Sequence, residues 1–234
     1  MTRARRHSPL PAISLLLAIT ACAGGAPAAG TPAPTTSATG PTASPDTAVA
    51  TQGDTTRAGW VPAGFGGLRQ DDLSIRLEPR DVLVRALPLD ETVIRLLSPD
   101  SYRALHGLLE SRRAELDRLA SAHQLRGRSV WYVSFHGMAA EARFSPRDVA
   151  VTSAGREFRP LEVIPLTSGF GEQRLQPRET QAALYLFEDG IDLAQPLTVS
   201  FGTLRDASTW AETLRTLERE RALVRTRAAS GRTP

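Results

Sequence analysis

The sequence predicts a mainly β fold: an antiparallel β-sandwich that carries one inserted amphipathic helix and one C-terminal helix. Three observations predict it. Short stretches rich in Val, Leu, Phe, Trp and Tyr recur from Leu73 to Phe201. Pro- and Gly-bearing turns separate them at short intervals, the rhythm of an antiparallel sandwich rather than of a parallel sheet. Only two stretches, 98–123 and 208–227, replace this rhythm with apolar residues at helical spacing.

Taken in chain order, the first element is a leader. Arg3, Arg5 and Arg6 precede an apolar run over residues 10–21, and Cys22 follows it. A positive n-region, a short h-region and small residues before a cut make a secretory signal. The run of 12 residues falls short of the roughly 18–20 that span a bilayer. Cys22 is the only cysteine, and a lone cysteine at this point resembles the lipobox of bacterial lipoproteins, whose thiol is lipidated and becomes the new N-terminus. The resemblance implies lipidation of Cys22 and attachment to a membrane of the bacterial cell envelope. Ala23 follows in place of an aspartate, which implies the outer membrane. No disulfide and no thiol nucleophile are then expected.

Residues 23–56 consist almost wholly of Ala, Gly, Pro, Thr and Ser, too little apolar surface to offset ordering entropy, so a disordered stalk is expected. As a flexible coil its 34 residues reach roughly 30–35 Å on average. The expected organisation is a leader over 1–21, a stalk over 22–58, a β-sandwich over 59–207 with a helical insert at 98–124, and a C-terminal helix and tail over 208–234. Gly64-Phe65-Gly66-Gly67 reads as the hinge between stalk and domain.

Leu73-Ser74-Ile75-Arg76-Leu77 and Val82-Leu83-Val84-Arg85-Ala86-Leu87 flank a Glu78-Pro79-Arg80-Asp81 turn, a hairpin with one buried face. Ser98-Pro99-Asp100 starts a helix with a serine cap, proline at N1 and an acid in the first turn. Tyr102, Leu105, Leu108, Leu109, Leu116 and Leu119 form its apolar stripe, with Glu110–Arg113 and Glu115–Arg118 pairs on the other face. Arg112 interrupts the stripe and is expected to snorkel past the sheet edge. Strands follow at 130–135, 142–144, 148–152, 158–166, 181–187 and 197–201. Tyr132, Phe135, Leu184, Leu186 and Val199 are expected in or near the core, with Trp131 on the opposite side from Tyr132. Trp210, Leu214, Leu217 and Val224 form the stripe of the last helix, and its alternating Glu218, Glu220 and arginines read as a solvated face.

Trp131-Tyr132-Val133-Ser134-Phe135, Phe144-Ser145-Pro146-Arg147-Asp148-Val149, Thr152-Ser153-Ala154-Gly155, Leu175-Gln176-Pro177-Arg178-Glu179-Thr180, Ala183-Leu184-Tyr185-Leu186-Phe187 and Leu197-Thr198-Val199-Ser200-Phe201 follow one another in that order. The order resembles the immunoglobulin-like (telokin-like) domains of secreted bacterial lipoproteins of unknown function. It spans residues 130–202 and departs at Arg178, where a glycine is usual, and at the helix inserted over 98–123. The resemblance implies a sandwich and no catalytic residue.

Charge and motifs limit the function. All 28 basic residues are arginine. Three lie in the leader, which leaves 25 against 25 acidic residues and removes the electrostatic case for nucleic acid. His106, His123 and His136 lack metal-ligand spacing, and there is no Gly-x-Ser-x-Gly elbow. Glu188-Asp189-Gly190-Ile191-Asp192 lacks the pattern of a calcium loop and reads as a solvated hairpin turn. No cofactor and no metal are expected. The loop Thr167, Ser168, Gly169, Phe170, Gly171, Glu172, Gln173 is the expected partner-binding segment, since binding residues concentrate on loops of a rigid scaffold. The expected function is a non-enzymatic binding or envelope-assembly module, bound to the membrane through Cys22 and to a protein or surface component. The alternatives are a structural spacer of the envelope and a cell-wall hydrolase using His136 or Glu162.

Overall fold

The computed structural model describes residues 60–231; the leader, Cys22 and the stalk lie outside the described residues. The described chain is mainly β, with antiparallel sheets and a long C-terminal helix. An extended strap over 60–68 leads into α1 (Gln70–Leu73), and β1 (Ile75–Leu77) and β2 (Val82–Pro88) then pair as the expected hairpin. A single turn, α2 (Glu91–Ile94), opens on Asp90, whose carboxylate accepts from the Thr92 N–H at 2.8 Å.

The helix expected over 98–123 divides at Arg112 into α3 (Pro99–Ser111) and α4 (Arg113–Ala122). On one straight helix Arg112 lies about two turns beyond Leu105, on the apolar stripe. The break, at φ −108° and ψ 6°, turns its guanidinium out to Glu115 at 3.3 Å, while Leu105 and Leu116 stay buried. Glu115 therefore pairs with Arg112 rather than Arg118, and Glu110–Arg113 forms as expected at 3.1 Å. The Ser98 hydroxyl meets Ser101 Oγ at 3.0 Å instead of capping a backbone N–H.

The remaining elements are β3 (Ser129–Gly137), β4 (Ala142–Arg143), β5 (Val149–Ser153), β6 (Arg156–Phe158), β7 (Glu162–Pro165), β8 (Arg174–Leu175), β9 (Thr180–Phe187), β10 (Leu197–Phe201), β11 (Leu204–Asp206) and α5 (Thr209–Ser230). One sheet runs β1-β2-β3-β9-β7, a second runs β11-β10-β5-β6, and β4 pairs with β8 as a short ribbon. β1 also lies against β10 and β11, where the two sheets converge.

Alternation along β3 sends Trp131, Val133 and Phe135 to one face and Val130, Tyr132 and Ser134 to the other. The first face meets the second sheet, Phe135 lying 5.7 Å from Phe201 of β10, while Trp131 on the same face packs edge-on to Phe187 of the neighbouring β9 at 6.2 Å. Trp131 is thus buried between the sheets, while Tyr132 is half-buried on the outer face. On that outer face α4 reaches β7, with His123 Nε2 and Glu162 Oε1 at 2.9 Å. Leu184 and Leu186 are fully buried on the same face.

Four expectations need correcting. The strand read over 158–166 is two strands in two sheets, because Pro160 lies between β6 and β7 and cannot donate to a ladder. Residues 188–192 do not turn a hairpin: β9 pairs with β3 and β7, β10 with β5 and β11, so this segment crosses between sheets. The Gly64–Gly67 stretch is not a hinge in the described structure but a clamped strap. A Cβ on Gly66 would lie 2.2 Å from Leu96 O, and the Leu68 N–H and Leu68 C=O bond to Leu96 O (3.1 Å) and the Ser98 N–H (2.8 Å). Finally, Glu220 on α5 is not solvated. Its side chain is 8 % exposed and accepts from Arg227 Nη1 (2.6 Å) and the Gly67 N–H (2.7 Å), and Arg227 Nη1 also donates to Phe65 O at 2.9 Å.

Candidate functional site

A hollow of about 540 Å³ lies where the strap, α2, α3 and the start of β3 meet. Leu89 and Val130, each nearly sealed, form its floor. Around the rim stand Trp60, Glu91, Arg95, His106, Glu110, Arg113 and Arg128. The three arginines are each paired with a carboxylate, while Asp90 on the same wall is held by the Thr92 N–H. Arg95 Nε donates to Glu91 Oε2 at 2.6 Å, Arg113 to Glu110 at 3.1 Å, and Arg128 to Asp117. The Arg95 guanidinium also lies 4.4 Å over the Trp60 ring and reaches Val61 O. His106 Nδ1 sits 2.8 Å from Glu91 Oε1, and the His106 ring stacks on Tyr102 at 5.2 Å. Burial first, and then the neighbouring Glu91 carboxylate, push the Tyr102 phenol up, so it remains a protonated donor to Glu91.

Two smaller hollows continue from this one. One of about 200 Å³ shares Leu89, Asp90, Arg128 and Val130 with it and runs on to Asp189, Ile191 and Leu193. The other, about 380 Å³, lies against α4 and shares Gly127 and Arg128 with the 200 Å³ hollow. Arg128 lines all three, and together they make up the groove around that residue. Asp189 Oδ2 accepts from the Arg126 and Gly127 N–H groups at 3.0 and 2.9 Å, and Oδ1 is buried with no partner. Sequence reasoning singled out none of Glu91, Arg95 or Arg128, and read Arg113 only as a surface pair of Glu110. Glu91 and Arg95 are four apart on the short α2, but Arg128 joins them from a separate segment with no fixed spacing to flag it.

The nominated residues fall elsewhere. In the loop over 167–173, Phe170 is buried against Phe135 (6.0 Å) and Phe144 (5.5 Å), and Thr167 Oγ1 accepts from the Ala182 N–H. Gly169 packs against Gln181, and Ser168, Gly171, Glu172 and Gln173 are exposed. Beside the loop a hollow of about 260 Å³ is lined by Pro146, Arg147, Val163, Pro165, Phe170 and Gln173. Its wall is fixed by Tyr185, whose hydroxyl donates to Pro146 O at 2.9 Å; burial and then the Asp148 charge push that phenol far up. His136 Nδ1 meets Thr180 Oγ1 at 2.9 Å in a separate trough with Arg85 and Met138, and Glu162 pairs with His123. Neither joins the groove.

Among the described residues, no three His, Cys, Asp or Glu side chains are grouped to hold a metal ion, and no helix is long and apolar enough to cross a membrane. No protein-family model matches the chain, no curated protein matches it, and no solved structure matches it.

Proposed function

We propose that the chain is a lipoprotein of a bacterial cell envelope, anchored through a lipid on Cys22 in the outer membrane, and that its β domain is a non-enzymatic binding module. The observation that carries the binding reading is the groove around Arg128. Arg95, Arg113 and Arg128 are each paired with a carboxylate, and a guanidinium engaged at one edge keeps further N–H donors for a ligand. The anchor reading rests on Arg3, Arg5 and Arg6, the apolar run and the lone Cys22. The balance of 25 arginines and 25 acids beyond the leader supports a partner other than nucleic acid. In the same reading the two antiparallel sheets are an immunoglobulin-like sandwich into which α3 and α4 are inserted between the paired strands β2 and β3.

The test has two arms. Cys22→Ser should abolish incorporation of a palmitate analogue and release the protein from the membrane fraction; retention of both overturns the anchor. A photo-crosslinker placed at Gly127 should capture one saturable envelope component in cells, and capture of none overturns the binding reading.

One observation favours the hydrolase alternative. Glu91 holds the His106 imidazole by Nδ1 at 2.8 Å on the wall of the 540 Å³ hollow, the arrangement that orients a histidine as a general base for water. Release of soluble fragments from purified cell wall, lost in His106→Ala, would replace the binding reading with this one.

A further inference from the structure

We propose that a second site, apart from the groove, lies at the open edge of β7 and takes the C-terminal end of an extended peptide whose last side chain is apolar. The site is the hollow of about 260 Å³ beside the 167–173 loop, with Pro146, Val163, Pro165 and Phe170 as its apolar wall. That wall is preformed. Phe170 is 3 % exposed and packed against Phe135 and Phe144, and the Tyr185 hydroxyl holds Pro146 O at 2.9 Å. The volume is below the roughly 300–1,000 Å³ of a site that encloses a whole small molecule, and suits a single side chain.

The backbone beside the hollow is free to pair. β7 ends its sheet and pairs only with β9. The Leu166 N–H donates to Ala182 O at 2.9 Å, so the hydrogen-bonded positions of this ladder are Leu166, Ile164 and Glu162. Val163 lies between them and turns its N–H and C=O away from β9, toward the open edge, and the same residue lines the hollow. An extended peptide can therefore pair with Val163 while it drops a side chain beside it. Pro165, the next outward position, has no N–H. Within β7 Val163 alone offers both bonds, too few for a whole added strand and enough for a chain end.

Charge fixes which end. Arg147 is the one charged residue in the lining; it is exposed and has no ion-pair partner among the described residues. Asp148 and Glu172, the acids next along the chain, stand outside the lining and disfavour an acidic stretch of partner. A free α-carboxylate brings one negative charge at the point where the peptide stops, which matches one guanidinium beside an edge that stops at Pro165. A fatty acid has a similar apolar body and charge, but leaves the Val163 C=O without a donor.

The test titrates the full-length protein with fluorescein-labelled hexapeptides, read by anisotropy: penta-alanyl-leucine as the free acid, the same peptide as its C-terminal amide, and penta-alanyl-glutamate. Unlabelled laurate is titrated separately by calorimetry. The leucine acid should bind saturably, and the amide and the glutamate peptide roughly ten-fold more weakly, a loss of about 1.4 kcal/mol. Arg147→Gln should lower the leucine acid to the level of the amide without changing the unfolding temperature. Val163→Pro, which removes an N–H that β9 does not use, should weaken acid and amide alike; Arg147→Gln decides alone if Val163→Pro unfolds. Equal binding of acid and amide, or binding that Arg147→Gln leaves unchanged, overturns the assignment. Laurate binding that is tighter than the leucine acid and lost in Arg147→Gln also overturns it, in favour of an acyl carboxylate. No saturable binding of any probe removes this site and leaves the groove reading, tested by the crosslinker at Gly127, standing or falling by itself.

Discussion

Replacing Gly66 by alanine should detach the strap from the domain. The new Cβ would lie 2.2 Å from Leu96 O, 2.3 Å from Leu96 C and 2.4 Å from Leu97 O, all backbone atoms of the segment joining α2 to α3. No side chain can swing away, so the strap itself must move. Its departure breaks the bonds between Leu68 and the 96–98 segment, at 3.1 and 2.8 Å, about 1 kcal/mol each. It uncovers Val61, 3 % exposed, for roughly another 1.5–2 kcal/mol. It also takes the Gly67 N–H from the Glu220 carboxylate, a charged bond of roughly 1.5 kcal/mol or more. The freed residues regain conformational entropy that offsets part of this sum, leaving a loss on the order of 2–4 kcal/mol. Two controls bracket it. Gly64, at φ 88° with open space around it, should cost about 1 kcal/mol as alanine through backbone strain alone. Gly67, 3.3 Å from the flexible end of Glu220, should cost less than about 1 kcal/mol. Urea unfolding gives the ranking, and trypsin cleavage at exposed Arg69 should accelerate only in Gly66→Ala. Equal unfolding midpoints for Gly66→Ala and Gly64→Ala would refute the clamped strap.

The turn between β5 and β6 has Ala154 at φ 50° and Gly155 at φ 78°, so Ala154→Asn, which tolerates this region, should add about 0.5–1 kcal/mol and raise the calorimetric midpoint by a few degrees. Removing one partner of the buried Glu220–Arg227 pair should be asymmetric: Arg227→Met strands a buried carboxylate and should cost about 3 kcal/mol or more, whereas Glu220→Gln keeps an acceptor for the Gly67 N–H and should cost less. Burial alone would raise the Asp206 carboxyl, but bonds from Thr209 and Ser208 outweigh it and hold the group below its ordinary value. A lowered folded pKa means that Asp206 stabilises the protein above the unfolded carboxyl value and ceases to do so as pH falls through the folded one. Acid titration of stability should therefore be shallower in Asp206→Asn over that interval; an unchanged acid limb would contradict the assignment.

What the sequence made legible were the elements whose burial is one-sided or whose turns carry their own chemistry. The β1–β2 hairpin follows from strict alternation around Glu78-Pro79-Arg80-Asp81, and α3 follows from Pro99 and Asp100. β3 and β9 were visible as apolar runs, but which face met which layer was not, since both faces are covered and the alternation is lost. α2 was illegible because four residues are too few to show a period; only the Asp90 cap marks it. β6 and β7 read as one strand because apolar content continues across Pro160; its missing N–H marks a break, but not that the chain changes sheet there. The groove was the least legible part. Glu91 and His106 are 15 residues apart, and they meet only because α3 folds back over α2. Similarly Phe170 sits in a glycine-flanked loop, the mark of a mobile surface segment, yet the aromatic cluster of Phe135 and Phe144 draws it inward.

The strap joins features that the linear sequence keeps far apart. Its start, Trp60, is a wall of the groove and carries the Arg95 guanidinium on its ring. Its end, Phe65 to Gly67, is held by Arg227 and Glu220 of α5. α5 is in turn fixed by Trp210, which is 1 % exposed and donates to Leu193 O, and Leu193 lines the far end of the same groove. The C-terminal helix therefore braces two walls of the groove without lining it, through Phe65–Gly67 on one side and Leu193 on the other. This accounts for a carboxylate as costly as that of Glu220 being buried there. An apolar contact would give the strap burial alone, whereas Glu220 fixes its backbone register through the Gly67 N–H, and with it the position of Trp60.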